Sequence, residues 1–131
     1  MTKKQLQQLR HYNSELRILR QHLAELEASI GISAIVADGQ PHGNKVGSPT
    51  EQQAITIADT ISQIRQLEES VTFARNEAWT FIASVEDPLL RQIITLRFVD
   101  GKSWFKVAET IGGDATEDGC RMVFNRANID D

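Results

Sequence analysis

The chain reads as an all-α protein, a long antiparallel helical hairpin followed by a three-helix helix-turn-helix module. Three observations lead there. Apolar residues recur in alternating steps of three and four over residues 9–30 and again along 54–85, the spacing of helices that pack side by side. A glycine-rich stretch, "GISAIVADGQPHGNKVGS", separates the two runs. After Asp87-Pro88 come three short amphipathic segments, the last two divided by Gly112-Gly113.

The first run places Leu9, Tyr12, Leu16, Leu19, Leu23, Leu26 and Ile30 on one seam, with Gln, Arg, Glu and Asn between them, and Gly31 is expected to end it. A helix over residues 3–30 is about 42 Å long at 1.5 Å per residue, too long a rod to bury its own stripe. It needs a partner, and the second run supplies one. That seam is Ala54, Ile57, Ile61, Ile64, Val71, Ala78, Ile82 and Val85, widened by Leu67, Ala74 and Phe81 and interrupted by Glu68 and Arg75. "SPTE" predicts its start, with Ser48 at the N-cap, Pro49 at the first helical position and Glu51 at the third.

The connection over about 31–48 is too long for a tight helical hairpin turn, and Ile32, Ile35 and Val36 are expected to pack back on the helix ends. Its glycines lack the Gly-Lys-Ser/Thr ending of a phosphate cradle. Asp87 and Pro88 then restart the chain as N-cap and first helical residue of "PLLRQIITLRFV", one helix ended by Asp100-Gly101. Ser103 caps "WFKVAETI", whose Trp104, Val107, Ala108 and Ile111 share a face, with Trp104 read as core. Thr116 caps a last helix that turns Cys120, Val123, Phe124 and Ala127 inward. Two domains are therefore expected: 1–86, the hairpin, and 87–131, the helix-turn-helix domain.

Composition narrows the function. The 131 residues carry a net charge of −4, so the chain as a whole does not attract polyanions. One cysteine, Cys120, excludes an internal disulfide and a cysteine-rich zinc site, and its periodicity turns it inward. His11, His22 and His42 are too scattered for a metal site, and no Ser, His and Asp stand at a triad-like spacing. Neither catalysis, nor a metal, nor a cofactor is expected. There is no apolar run of about 20 residues and no signal-peptide core after Met1-Thr2-Lys3-Lys4, so the expected setting is the cytoplasm, without a membrane partner.

Residues 87–127 resemble region four of bacterial sigma factors. The matching pieces are Leu96-Arg97-Phe98, Val107-Ala108, Gly112, Thr116, Cys120, Arg121, Val123 and Arg126-Ala127. The whole chain is similar to small phage and prophage proteins of the ArpU-related kind, through "PHGNKVGSPTEQQAITIAD", "DPLLRQIITLRFVDGKSW" and "IGGDATEDGCRM". That resemblance implies a phage-borne, DNA-binding transcription regulator whose partners are double-stranded DNA and host RNA polymerase. Sigma recognition helices carry basic residues in their first turn, whereas this one opens Glu117-Asp118-Gly119.

The residues expected to meet DNA follow from their type and place. Arg121 and Asn125 lie four apart on the face opposite Cys120, Val123 and Ala127, with Met122 beside them. Arginine pairs bidentately with guanine and asparagine with adenine, and Glu117 can accept from a cytosine amino group. Thr116 supplies the cap, and Gly119 is expected to let the backbone approach the groove. Arg126 closes the same helix, and Lys102, Lys106 and Arg97 are placed to touch phosphates. Residues 86–131 nonetheless hold six Lys/Arg against nine Asp/Glu, a net −3, so this segment alone should grip DNA weakly. A homodimer through the hairpin, or a polymerase-bound form, would compensate. Two rivals remain at this point: a small-terminase-like DNA-packaging subunit, which would form a ring, and a helical protein-interaction module, which would show no sequence-dependent DNA binding.

Overall fold

The structure, a computed structural model, describes residues 1–38 and 49–131, with the backbone alone at 31–38. Among the described residues five helices follow in order: α1 (Lys3–Asp38), α2 (Glu51–Ser84), α3 (Pro88–Ile94, continued by a π-helical turn at Thr95–Val99), α4 (Trp104–Ile111) and α5 (Glu117–Arg126). Among the described residues there is no strand, and no helix is long and apolar enough to cross a membrane. The all-α expectation holds.

Both long helices start on the same local device. The Thr2 hydroxyl accepts from the Gln5 amide at 3.1 Å while the Gln5 side chain accepts from the Thr2 amide at 2.8 Å. Thr50 and Gln53 repeat this at the same distances. Each reciprocal pair satisfies two amides that the first helical turn would leave without partners. The cap of α2, Thr50, therefore falls two residues after the Ser48 expected from the proline, and Ser48 itself lies outside the described residues. Gly31 does not end α1, which runs on to Asp38. A lone glycine costs a helix only about 1 kcal/mol relative to alanine, too little to stop one by itself. The expected packing of Ile32, Ile35 and Val36 lies outside the described side chains.

The chain divides into two compact units, residues 15–68 and residues 1–14 with 69–131. The division differs from the one expected at residue 86. In the first unit Leu16, Ile30 and Ile64 are buried, and Leu19, Leu23, Leu26, Ile57, Ile61 and Leu67 are half-buried along the expected seam. Ala54 departs from it and is exposed. Arg20 pairs with Glu68 at 3.1 Å. The pair joins the middles of the two helices, which run antiparallel: residues 1–14 group with the second half of α2 and the rest of α1 with the first half.

The second unit buries Leu6, Leu9, Val71, Ala78 and Ile82 with Ile93, Ile94, Phe98, Val99, Val107, Ala108, Cys120 and Phe124. The first three turns of α1 thus contribute core residues to the same unit as the helix-turn-helix. Lys3 anchors them: its backbone amide donates to the Asp130 carbonyl at 2.7 Å, and its ammonium donates to the Asn125 carbonyl at 3.0 Å, near the Phe124 ring. A cation at the end of α5 satisfies a last-turn carbonyl and complements the helix dipole.

The segment expected as one helix, "PLLRQIITLRFV", changes winding at Thr95. Asp100 donates its amide to the Thr95 carbonyl at 2.9 Å, a five-residue step. The buried pairs explain the change. Phe98 and Val99 lie five residues after Ile93 and Ile94, and only a wider turn keeps both pairs on one face. At the other end, the Asp87 carboxylate accepts from the Leu89 amide at 3.0 Å beside Pro88, the expected cap. Arg91 closes the end of α2 by donating to the carbonyls of Val85 and Glu86 at 2.8 and 3.2 Å.

Candidate nucleic-acid interface

Helix α4 begins where expected, with the Ser103 hydroxyl accepting from the Lys106 amide at 3.2 Å. It ends at Gly112, whose φ of 76° and ψ of −165° are open only to glycine, and Gly113 follows at φ 61°. These two residues set the turn into α5. Thr116 caps α5, its hydroxyl accepting from the Gly119 amide at 3.0 Å.

Gly119 has a nearer reason than groove approach. A methyl group at this position would stand 2.8 Å from the Thr116 hydroxyl oxygen, inside ordinary contact. The glycine makes room for the cap that starts its own helix. This internal fit accounts for the glycine without reference to a groove.

Cys120 and Phe124 anchor α5 in the core, and burial raises the Cys120 thiol above its ordinary value. Outward stand Asp118, Met122, Asn125 and Arg126, all exposed, with Arg121 half-exposed at the edge of the same arc. The expected readers thus share the solvent face. Arg121 is not free on it: its guanidinium donates to Asp118 at 2.9 Å and to Glu117 at 3.0 Å. The acidic first turn, besides favouring the helix dipole, clamps the arginine along its own helix. The Asp118 side chain remains 85% exposed.

The predicted phosphate contacts divide. Lys106 is exposed beside Glu109, its nearest carboxylate at 3.5 Å, and Lys102 is half-buried. Arg97 is half-buried and lines a cleft with Arg121 and Asn125. It donates to the Lys102 carbonyl at 3.1 Å and lays its guanidinium 4.7 Å from the centre of the Trp104 ring. Trp104, expected in the core, is half-buried at the rim of an aromatic cluster with Phe98 and Phe124, at ring separations of 6.5 and 6.2 Å. Cation–π stacking by Arg97 covers its outer face.

The charge of the unit differs from that of its helix-turn-helix segment. With residues 1–14 and 69–85 included, ten Lys/Arg face eleven Asp/Glu, a net −1 in place of −3. Lys3, Lys4 and Arg10 of α1 supply most of the difference. Arg10 and His11 line an open cleft with Arg97, Trp104, Arg121 and Asn125. Sequence reading missed this contribution, because nothing local to residues 3–11 says what they pack against.

No protein family, curated protein or solved structure compared with the chain matches it.

Proposed function

We propose that the chain is a DNA-binding transcription regulator, sigma-region-four-like and phage- or prophage-borne, that lays α5 in the major groove of duplex DNA. The observation that carries this reading is the α4–turn–α5 unit, whose second helix presents Arg121, Met122, Asn125 and Arg126 to solvent while Cys120 and Phe124 hold it on the core. A helix presented in this way fits the major groove, and its exposed side chains reach base edges. The phage setting and host RNA polymerase as partner rest on the resemblance of residues 87–127 and of the chain's central and C-terminal stretches.

The acidic clamp on Arg121 is compatible with readout on energetic grounds. Exposed ion pairs contribute about 0–1 kcal/mol each, whereas a good bidentate arginine–guanine pair discriminates by about 1–3 kcal/mol. Arg121 can therefore exchange Glu117 and Asp118 for a guanine edge, and the clamp penalises its release on other sequences. Selection of bound sites from random duplexes, with polymerase present, tests the reading. Wild type should enrich a site, and Arg121→Ala should relax preference at one base pair at a cost of about 1–3 kcal/mol. Uniform weakening over all sequences would make Arg121 a phosphate contact, and no enrichment by wild type would remove the reading.

A second reading, a helical protein-interaction module, is favoured by Phe73 and Trp79 of α2, which are 67% and 46% exposed. Isolated apolar side chains are common on surfaces, but two aromatics on one helix are a usual component of interfaces. Absence of a selected site, with self-association weakened by Phe73→Ser, would favour it.

A further inference from the structure

Three arginines from three elements, Arg10 of α1, Arg97 of the π-helical turn and Arg121 of α5, line one open cleft of about 280 Å³. Their charges are not answered equally. Arg121 has Glu117 and Asp118. Among the described residues, no carboxylate lies within ion-pair distance of Arg10 or Arg97. The buried Nε atoms of both find no hydrogen-bond acceptor, and the Asn13 amide nitrogen, one turn beyond Arg10, is also without one. Such orphaned donors cost free energy and mark a place where an acceptor is missing. Burial, then the neighbouring charges of Arg10 and Arg121, hold the Arg97 guanidinium below its usual value.

We propose that this cleft is an anion site that takes a phosphate group of the nucleic-acid backbone, with Arg10 as its principal ligand and Arg97 as the second. Guanidinium forks match phosphate oxygens in pairs and lose less hydration than ammonium groups. Arg97 is already oriented by the Lys102 carbonyl and the Trp104 face, so little freedom is lost on binding. The choice of phosphate over carboxylate rests on the reading of α5 as the DNA helix, because Arg121 and Asn125 line both the cleft and the proposed reading face. The first turns of α1 then grip the backbone beside the groove that α5 enters, and offset the acids at the start of that helix.

The cleft carries its own reporter. In a Trp79→Phe background Trp104 is the sole tryptophan, and its fluorescence is titrated with inorganic phosphate against acetate and chloride at matched ionic strength. Phosphate should give a saturable change that acetate and chloride do not, at least fivefold weaker in Arg10→Gln and partly restored in Arg10→Lys. Should Arg10→Gln not fold, the melting temperature of the parent chain decides: phosphate should raise it beyond what chloride does. Equal responses to phosphate and chloride, acetate as effective as phosphate, or an unchanged titration in Arg10→Gln would overturn the proposal. With duplex DNA, Arg10→Gln should lower the salt slope by about one and leave base preference intact. A phosphate response in a chain that selects no DNA sequence sinks the DNA reading but leaves the anion site. Site selection without a phosphate response sinks the anion site alone.

Discussion

The Thr116 cap and Gly119 should be energetically coupled, and the size of the coupling follows from the geometry of the first turn of α5. Thr116→Ala removes the hydroxyl that accepts from the Gly119 amide at 3.0 Å, a loss of about 1 kcal/mol. Gly119→Ala gains up to about 1 kcal/mol of helix propensity. Its methyl group, however, would stand 2.8 Å from that same hydroxyl oxygen, so the cap must swing away and its contribution is forfeited. The single change should therefore be close to neutral. In the Thr116→Ala background the obstacle is gone, and Gly119→Ala should stabilise by up to about 1 kcal/mol. The double-mutant cycle then closes with a coupling of about 1 kcal/mol, well above the few tenths found for independent sites. Urea unfolding followed by Trp104 fluorescence in the Trp79→Phe background reads this within the unit that contains α5. If Gly119→Ala stabilises both backgrounds equally, the cap oxygen does not occupy the space over Gly119 and the account of this glycine is wrong.

Other outcomes follow from the same structure. Leu9→Ala should cost about 2–5 kcal/mol, because the side chain is fully buried, and half-buried Leu19→Ala should cost clearly less in the same denaturation series. Deleting residues 1–14 should loosen α5, seen as faster amide exchange at Phe124 and Asn125, since Leu6, Leu9 and Lys3 are removed together. Cys120 should react slowly with thiol reagents in the folded chain. Its raised thiol value means the folded state keeps a proton that the unfolded state releases, so this contribution to stability is full below the ordinary thiol range and declines as pH rises through it. Random duplex DNA should bind more weakly than about 10 µM at physiological salt, and Glu117→Gln with Asp118→Asn should tighten it by releasing Arg121 and removing two like charges.

What was legible in the sequence was mostly local. Asp87-Pro88, Ser103 and Thr116 act as caps where they stand, because a capping oxygen reaches an amide only two or three residues away. Gly101, Gly112 and Gly113 take the positive φ that marks them as stops. The inward side of α5 also follows from periodicity alone. The misses have two origins. Some are competing local signals: the proline at 49 points to an earlier start than the Thr50–Gln53 pair sets, and Gly31 resembles a stop although a long helix tolerates it. The π-helical turn had a signal too, the five-residue offset between Ile93-Ile94 and Phe98-Val99. Others were tertiary and had no local trace. Nothing near Arg10 announces that it shares a cleft with Arg97 and Arg121. The clamp on Arg121 was visible, since Glu117 and Asp118 precede it by four and three residues, the helical pairing distances.

The proposed placement of duplex DNA on the outward face of α5 has a direct signature in the amide spectrum. Amide shift mapping of the ¹⁵N-labelled chain, titrated with a selected duplex at low salt, tests it most directly. Shifts should concentrate at Thr116–Arg126, with a lesser set at Ser103–Lys106 and near Arg10, all abolished by raising the salt. Shifts confined to residues 15–68, or none in α5 while DNA is bound, would contradict it.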